Sequence, residues 1–225
     1  ASRGRPPHQH RDPPLITHEP TRILAIRHGE TAWNVDTRIQ GHLNIPLNAT
    51  GHWQAERLGQ ALAAENISAI YASDLSRAHE AAMYVSRASG IPVVPDLGLR
   101  ERGFGDFEGR TFAEIEIALP DQAERWRTRD PAFAPSGGES LLQVQERVLS
   151  AVNRLAKAHP GELIVMVGHG GVMDVLYRAA TRLDLQAART WLLGNTAVNR
   201  LLWTPEGLSL VGWSDTQHLA DAVLD

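Results

Sequence analysis

Two unbroken apolar runs, ILAI at 23–26 and LIVMV at 163–167, constrain the fold of this chain more than any other feature. Neither alternates with polar residues, so each must be covered on both faces, as happens to a strand inside a mostly parallel sheet. SAIYA at 68–72 and IPVV at 91–94 read the same way. The stretches between them have helical period. Ala55, Leu58 and Leu62 share one face; Leu75, Ala78, Ala82 and Val85 share a second; Leu141, Val144, Val148, Val152 and Leu155 mark a longer third. Strand and helix alternating in this order predict an α/β fold, a three-layer sandwich whose mostly parallel central sheet carries helices on both faces. AVNRLLW at 197–203 and LSLVGW at 208–213, joined by the turn-like TPEG, predict two further strands.

Length and charge bound what such a sheet can serve. The 225 residues suffice for one sizeable core without disulfides or a structural metal, and we expect a single domain over 21–225. Residues 1–20 hold five of the 13 prolines and three of the ten histidines without apolar periodicity, and read as a disordered arm that lacks the apolar core of a signal peptide. Lys+Arg 22 against Asp+Glu 26, spread along the chain, offers no basic stripe for nucleic acid. No apolar run approaches the roughly 20 residues of a membrane span. The absence of cysteine excludes thiolate ligands and cysteine nucleophiles and suits a reducing cytoplasm.

Ligands of parallel sheets gather beyond the carboxyl ends of the strands. Two of the buried strands end alike there: ILAI runs into Arg27-His28-Gly29, and LIVMV into Gly168-His169-Gly170. If the two strands are neighbours, both imidazoles meet in one crevice, each followed by a glycine that lets backbone N–H groups approach a ligand. SDLSRAHEAA at 73–82 follows the second strand and puts Arg77 in the first turns of a helix on the same side. LRERGFGDFEG at 99–109 follows the third and crowds Glu101, Asp106 and Glu108 among glycines. Taken singly, each is an ordinary strand-end or surface residue. Together, two Arg, two His and one Glu are the groups that transfer of a phosphoryl group to nitrogen requires. Guanidinium forks hold the nonbridging oxygens and the developing charge. A neutral imidazole attacks in line and splits one displacement into two. A carboxyl protonates the leaving alkoxide and then acts as base, and an incoming phosphate dianion raises its pKa in the useful direction. Arginine and imidazolium supply the positive charge, so neither metal nor cofactor is expected.

At these residues the chain resembles the histidine phosphatase superfamily, the branch that includes cofactor-dependent phosphoglycerate mutases and the broad-specificity phosphatases related to them. RHGETAWN at 27–34, RIQGHLNIPLNATG at 38–51, SDLSRA at 73–78, LRERGFGDFEG, GGES at 137–140 and VGHGG at 167–171 occur in that family's order, over about Thr21 to Trp203. The resemblance implies that His28 becomes a phosphohistidine and that Arg27 and Arg77 clamp the phosphate. It implies that His169 donates to the transferred group and that Glu101 is the proton donor that later activates water. Asn34, Gln40 and the Gly170 backbone would be secondary contacts to phosphate or substrate, while Glu30, Trp33, Glu139 and Asn195 either touch ligand or brace the loops.

The departures from the family pattern leave this set alone. Asn44 stands where Asp is common, and either closes an Asx-type turn. Ala81 replaces a frequent Thr, and His79, two residues from Arg77, faces elsewhere on its helix. Residues 111–137 look too short for the basic lid of the mutases resembling this chain, although Arg125, Trp126, Arg127, Arg129 and Phe133 could cover the crevice; the alternative is an amphipathic surface helix with a proline-rich loop. The expected activity is metal-independent hydrolysis of small phosphomonoesters. A phosphoglycerate mutase and a non-catalytic phospholigand-binding protein are the alternatives. No nucleic-acid or membrane partner is expected, and the apolar residues near the C-terminus are too few to decide between monomer and oligomer.

Overall fold

The computed structural model describes residues 18–220. Residues 1–17 of the expected arm lie outside them; His18, the first described residue, sets its ring edge-on to Trp203 with centroids 5.3 Å apart. Six strands form one sheet in the order β3-β2-β4-β1-β5-β6: β1 Thr21–Arg27, β2 Ile67–Ala72, β3 Val93–Pro95, β4 Leu163–Gly168, β5 Val198–Thr204 and β6 Gly207–Asp215. The first four are mutually parallel. The last two are antiparallel, to β1 and to each other, so the sheet is mixed at one end.

Period-two side-chain direction explains the three layers. Leu24 and Ile26 of β1, with Val165 and Val167 of β4, face a core built with α2 (Ala49–Leu62) and α3 (Ser76–Ser89). Ile23 and Ala25, with Ile164 and Met166, face the opposite core, built with α6 (Leu141–Lys157) and α7 (Gly170–Thr181). IPVV departs from the expectation of a strand buried on both faces. It shortens to β3 on the sheet edge, with Val94 exposed, because only β2 flanks it and Pro95 cannot donate to a further strand.

Local chemistry sets where the helices start. Asn48 accepts the Gly51 N–H at 2.8 Å to cap α2, and Ser140 with Gln143 forms a capping box on α6. At α3 the N-cap, Leu75, has no side chain to offer. Asn44, distant in sequence, accepts the Ser76 N–H at 2.7 Å instead. The expected Asx turn is thus a bond between segments, and it fixes the 38–47 loop to the helix carrying Arg77.

Before α2 lies the single turn α1 (Ala32–Val35). Residues 111–137 fold into α4 (Phe112–Ala118), α5 (Pro120–Arg127) and a loop, around a small separate core of Phe107, Ile115, Ala123 and Phe133. Among the described residues no helix is long and apolar enough to cross a membrane.

Candidate active site

β1 and β4 are hydrogen-bonded neighbours with Arg27 opposite Gly168, so both histidines emerge at the same end of the sheet. The His28 N–H donates to the Gly168 carbonyl at 3.0 Å, and the two imidazoles lie with centroids 5.2 Å apart at 62°. Both are almost wholly buried. β2 contributes a third strand-end residue: the Ser73 N–H donates to the Val167 carbonyl, and Ser73 Oγ lies 2.8 Å from His169 Nε2. The sequence reading missed Ser73, although its place directly after a strand that ends at Ala72 was the signal available.

His28 Nδ1 is 2.6 Å from the Gly29 carbonyl oxygen. A carbonyl can only accept, so the proton sits on Nδ1 and Nε2 keeps its lone pair. Burial, and then the charges of Arg27 and Arg77, hold His28 well below the ordinary imidazole pKa against that hydrogen bond. His169 is held well below it too, by burial and then by Arg77, His28, Arg27 and His42. Both rings are therefore neutral at neutral pH. In the free protein the arginines carry the positive charge, and the neutral ring is the form the attack requires.

Arg27 donates from Nη1 to the Leu193 carbonyl, and Arg77 from Nη1 and Nη2 to the carbonyls of Leu43 and Gly41. Burial lowers both pKa values, Arg77 to about 10, so both remain cations at neutral pH. Nε of Arg27, Nε of Arg77 and Nδ1 of His169 are buried without a hydrogen-bond partner among the described residues. Leaving a buried donor unsatisfied costs about 1–3 kcal/mol, and the two arginine N–H groups, with a ring nitrogen of His169 also unpartnered, mark the crevice as built for acceptor oxygens.

Glu101 reaches the same crevice. Its Oε1 accepts the Arg102 N–H at 2.7 Å and its Oε2 the Gly171 N–H at 3.1 Å, and its charge bears on both Arg27 and Arg77. A Cβ on Gly171 would lie 2.2 Å from Glu101 Oε1, so only glycine admits the carboxylate. The loop behind it is clamped. Arg147 of α6 donates to the carbonyls of Gly98, Arg100 and Glu101 and to both oxygens of Glu139, and His42 Nε2 donates to the Glu101 carbonyl at 2.8 Å.

The remaining expected residues sort by what they touch. Asn34 Oδ1 accepts the Thr31 N–H, and Gln40 Oε1 accepts the Thr31 hydroxyl, which leaves their amide N–H₂ ends for a ligand. Gly170 opens α7 against Arg27, whose Nε would lie 3.4 Å from a Cβ placed there. Glu30 bonds Asn48, Trp33 packs on Gly109, and Glu139 bonds Arg147 and the Gly103 N–H; these three brace loops. Asn195 donates to the His28 carbonyl at 2.9 Å and so holds the backbone of the nucleophile candidate. Gly29 serves packing where the expectation was ligand approach, because a Cβ there would meet the Gly51 carbonyl of α2 at 2.5 Å.

Residues 111–137 combine both readings made of them. Arg125 pairs with Asp130, and Arg127 with Glu124, on the outer surface. Trp126 and Arg129 instead help line a cavity of about 160 Å³ whose wall includes Glu101 and Gly171.

Comparison with known proteins places these features. The profile of the histidine phosphatase superfamily (branch 1) matches residues 23–216. Phosphoglycerate mutase-like protein 4 of Arabidopsis thaliana is 37% identical over 203 residues, 88% of this chain and 87% of that protein. A metal-independent phosphoserine phosphatase from the same plant is 34% identical over 211 residues, 91% of this chain and 86% of its own. Among solved structures, mycobacterial glucosyl-3-phosphoglycerate phosphatase in complex with VO3 superposes with a TM-score of 0.77 at 31% identity, covering 87% of this chain and 99% of that one.

Proposed function

The chain belongs to the histidine phosphatase superfamily and is a phosphoric monoester hydrolase of that family; from this premise we propose that it works, without a metal, through a phosphohistidine on His28. The observation that carries the reading is the 2.6 Å contact between His28 Nδ1 and the Gly29 carbonyl oxygen. With Nδ1–H tied to the Gly29 carbonyl, the only lone pair available for attack is on Nε2, on a ring that feels the charges of Arg27, which is half-buried, and of Arg77, which is buried. Nε2 attacks phosphorus in line, the P–N bond forms as the P–O bond to the alcohol breaks, and the Glu101 carboxyl gives its proton to the departing oxygen. Glu101 then takes a proton from water as that water attacks phosphorus, and the P–N electron pair returns to Nε2. Arg27 and Arg77 hold the phosphoryl oxygens through both steps, and a neutral His169 adds a donor from Nδ1 when Nε2 accepts the Ser73 hydroxyl proton. The chain's lack of cysteine suits this work in the cytoplasm.

The test is turnover of p-nitrophenyl phosphate with and without EDTA, in wild type and His28→Ala. We expect activity indifferent to EDTA and reduced at least a thousandfold in the variant. Activity abolished by the chelator, or undiminished in His28→Ala, overturns the reading. A mutase is the second reading, favoured by the name of the Arabidopsis relative. Incubation with 3-phosphoglycerate separates the two, since hydrolysis releases inorganic phosphate and mutation accumulates 2-phosphoglycerate.

A further inference from the structure

The cavity beside Glu101 is where the alcohol half of the ester must lie, because the group that protonates the leaving oxygen forms part of its wall. This inference rests on the phosphatase reading above. Phe104, Trp126 and Leu185 give the cavity apolar sides, while three arginines, Arg102, Arg129 and Arg189, are also among the residues that line it. Their charge is not balanced. Asp174, one turn into α7 and 5% exposed, meets Arg178 at 2.9 Å, Arg129 at 3.1 Å and Arg189 at 3.3 Å. Arg178 is fully buried and gives Nη1 to the carbonyls of Asp184 and Ala187, its Nη2 being without a partner among the described residues; held inside the fold, its charge offsets that of Asp174. Arg129 and Arg189 are then in surplus.

Both surplus cations are placed to meet a ligand. Arg129 is held by the Leu185 carbonyl and keeps a left-handed backbone at φ 54, a conformation that a non-glycine residue keeps only where its surroundings impose it. The Arg189 side chain is 44% exposed and makes the longest of the three contacts to Asp174. Arg189 also lines the same cavity as Glu101, and its charge opposes that of Arg27.

We infer that Arg189, with Arg129, reads a carboxylate on the alcohol of the phosphoester, and so determines which phosphomonoesters this site hydrolyses. Asp174 already presents a planar two-oxygen acceptor to both arginines, and a substrate carboxylate suits the same forks. About 160 Å³ admits an alcohol of a few carbons.

The matched probes are 3-phosphoglycerate and glycerol 3-phosphate, which share a three-carbon body and differ in the carboxylate; release of inorganic phosphate is followed for both. In wild type we expect kcat/KM at least tenfold higher for the carboxylate. In Arg189→Gln that ratio falls at least fivefold, chiefly through KM for 3-phosphoglycerate, and Arg189→Lys restores part of it. Arg189 is exposed enough for the variant to fold, and Arg129→Gln supplies a second case. A wild-type ratio below tenfold, or one that falls less than fivefold in both Gln variants, overturns the inference. Turnover of p-nitrophenyl phosphate that depends on His28 but comes without this preference overturns only this inference. If no turnover depends on His28, the phosphatase reading falls as well.

Discussion

The Gly29 carbonyl and the Gly171 N–H do opposite things for the two groups proposed to react: one removes a proton from competition at His28, the other fixes an oxygen of Glu101. Neither contact involves a side chain of its partner, which is why a motif centred on glycines can specify chemistry. In Gly171→Ala the added methyl would occupy the place of Glu101 Oε1 and force the carboxylate aside. We expect kcat/KM for p-nitrophenyl phosphate to drop about a hundredfold, the scale of losing a positioned general acid, while circular dichroism stays that of wild type. Arg27, His28 and His169 were legible because each follows an apolar strand in the sequence itself. The arginine cluster on Asp174 was not. Its members come from α7, from the segment after α5 and from the segment after α7, and only packing tells which way their side chains turn.

Elements buried on both faces announce themselves, and those that lean on a local core do not. β1 and β4 could be read as central strands because their apolar runs, Ile23 to Ile26 and Leu163 to Val167, are buried at every position. β3 was overestimated, since an apolar edge strand and an apolar central strand share a composition. Residues 111–137 gave no clear pattern because α4 and α5 bury their apolar residues in a cluster of their own, away from the sheet. Between elements, the Asn44 bond to the α3 N-terminus is the contact that aligns Arg77 with the loop whose carbonyls it grips. Asn44→Ala removes a helix cap, at about 1 kcal/mol of unfolding free energy, and urea titration measures it. The same variant should raise KM for p-nitrophenyl phosphate severalfold, since Arg77 loses its registration.

On the scale of the whole molecule, holding two neutral histidines in the interior makes stability depend on pH. The folded chain keeps His28 and His169 well below 6.5, whereas the unfolded chain protonates them near that value. Between 6.5 and the folded values the unfolded state therefore binds more protons, and stability falls as pH falls. Each histidine contributes up to about 1.4 kcal/mol per pH unit in that window. Urea unfolding at a series of pH values should show this slope, and His169→Gln should make it shallower. The order of motifs along the chain already implied one crevice, but the mixed sheet decides how firmly its floor is held. His28 leaves β1 between β4 and β5, with its N–H bonded to Gly168 on one side and its carbonyl to Asn195 on the other, while the Thr196 N–H takes the carbonyl of Arg27 at 2.9 Å. Anchored on both flanks, the proposed nucleophile has nowhere to travel during turnover. Whatever motion the catalytic cycle needs falls to the alcohol and the water.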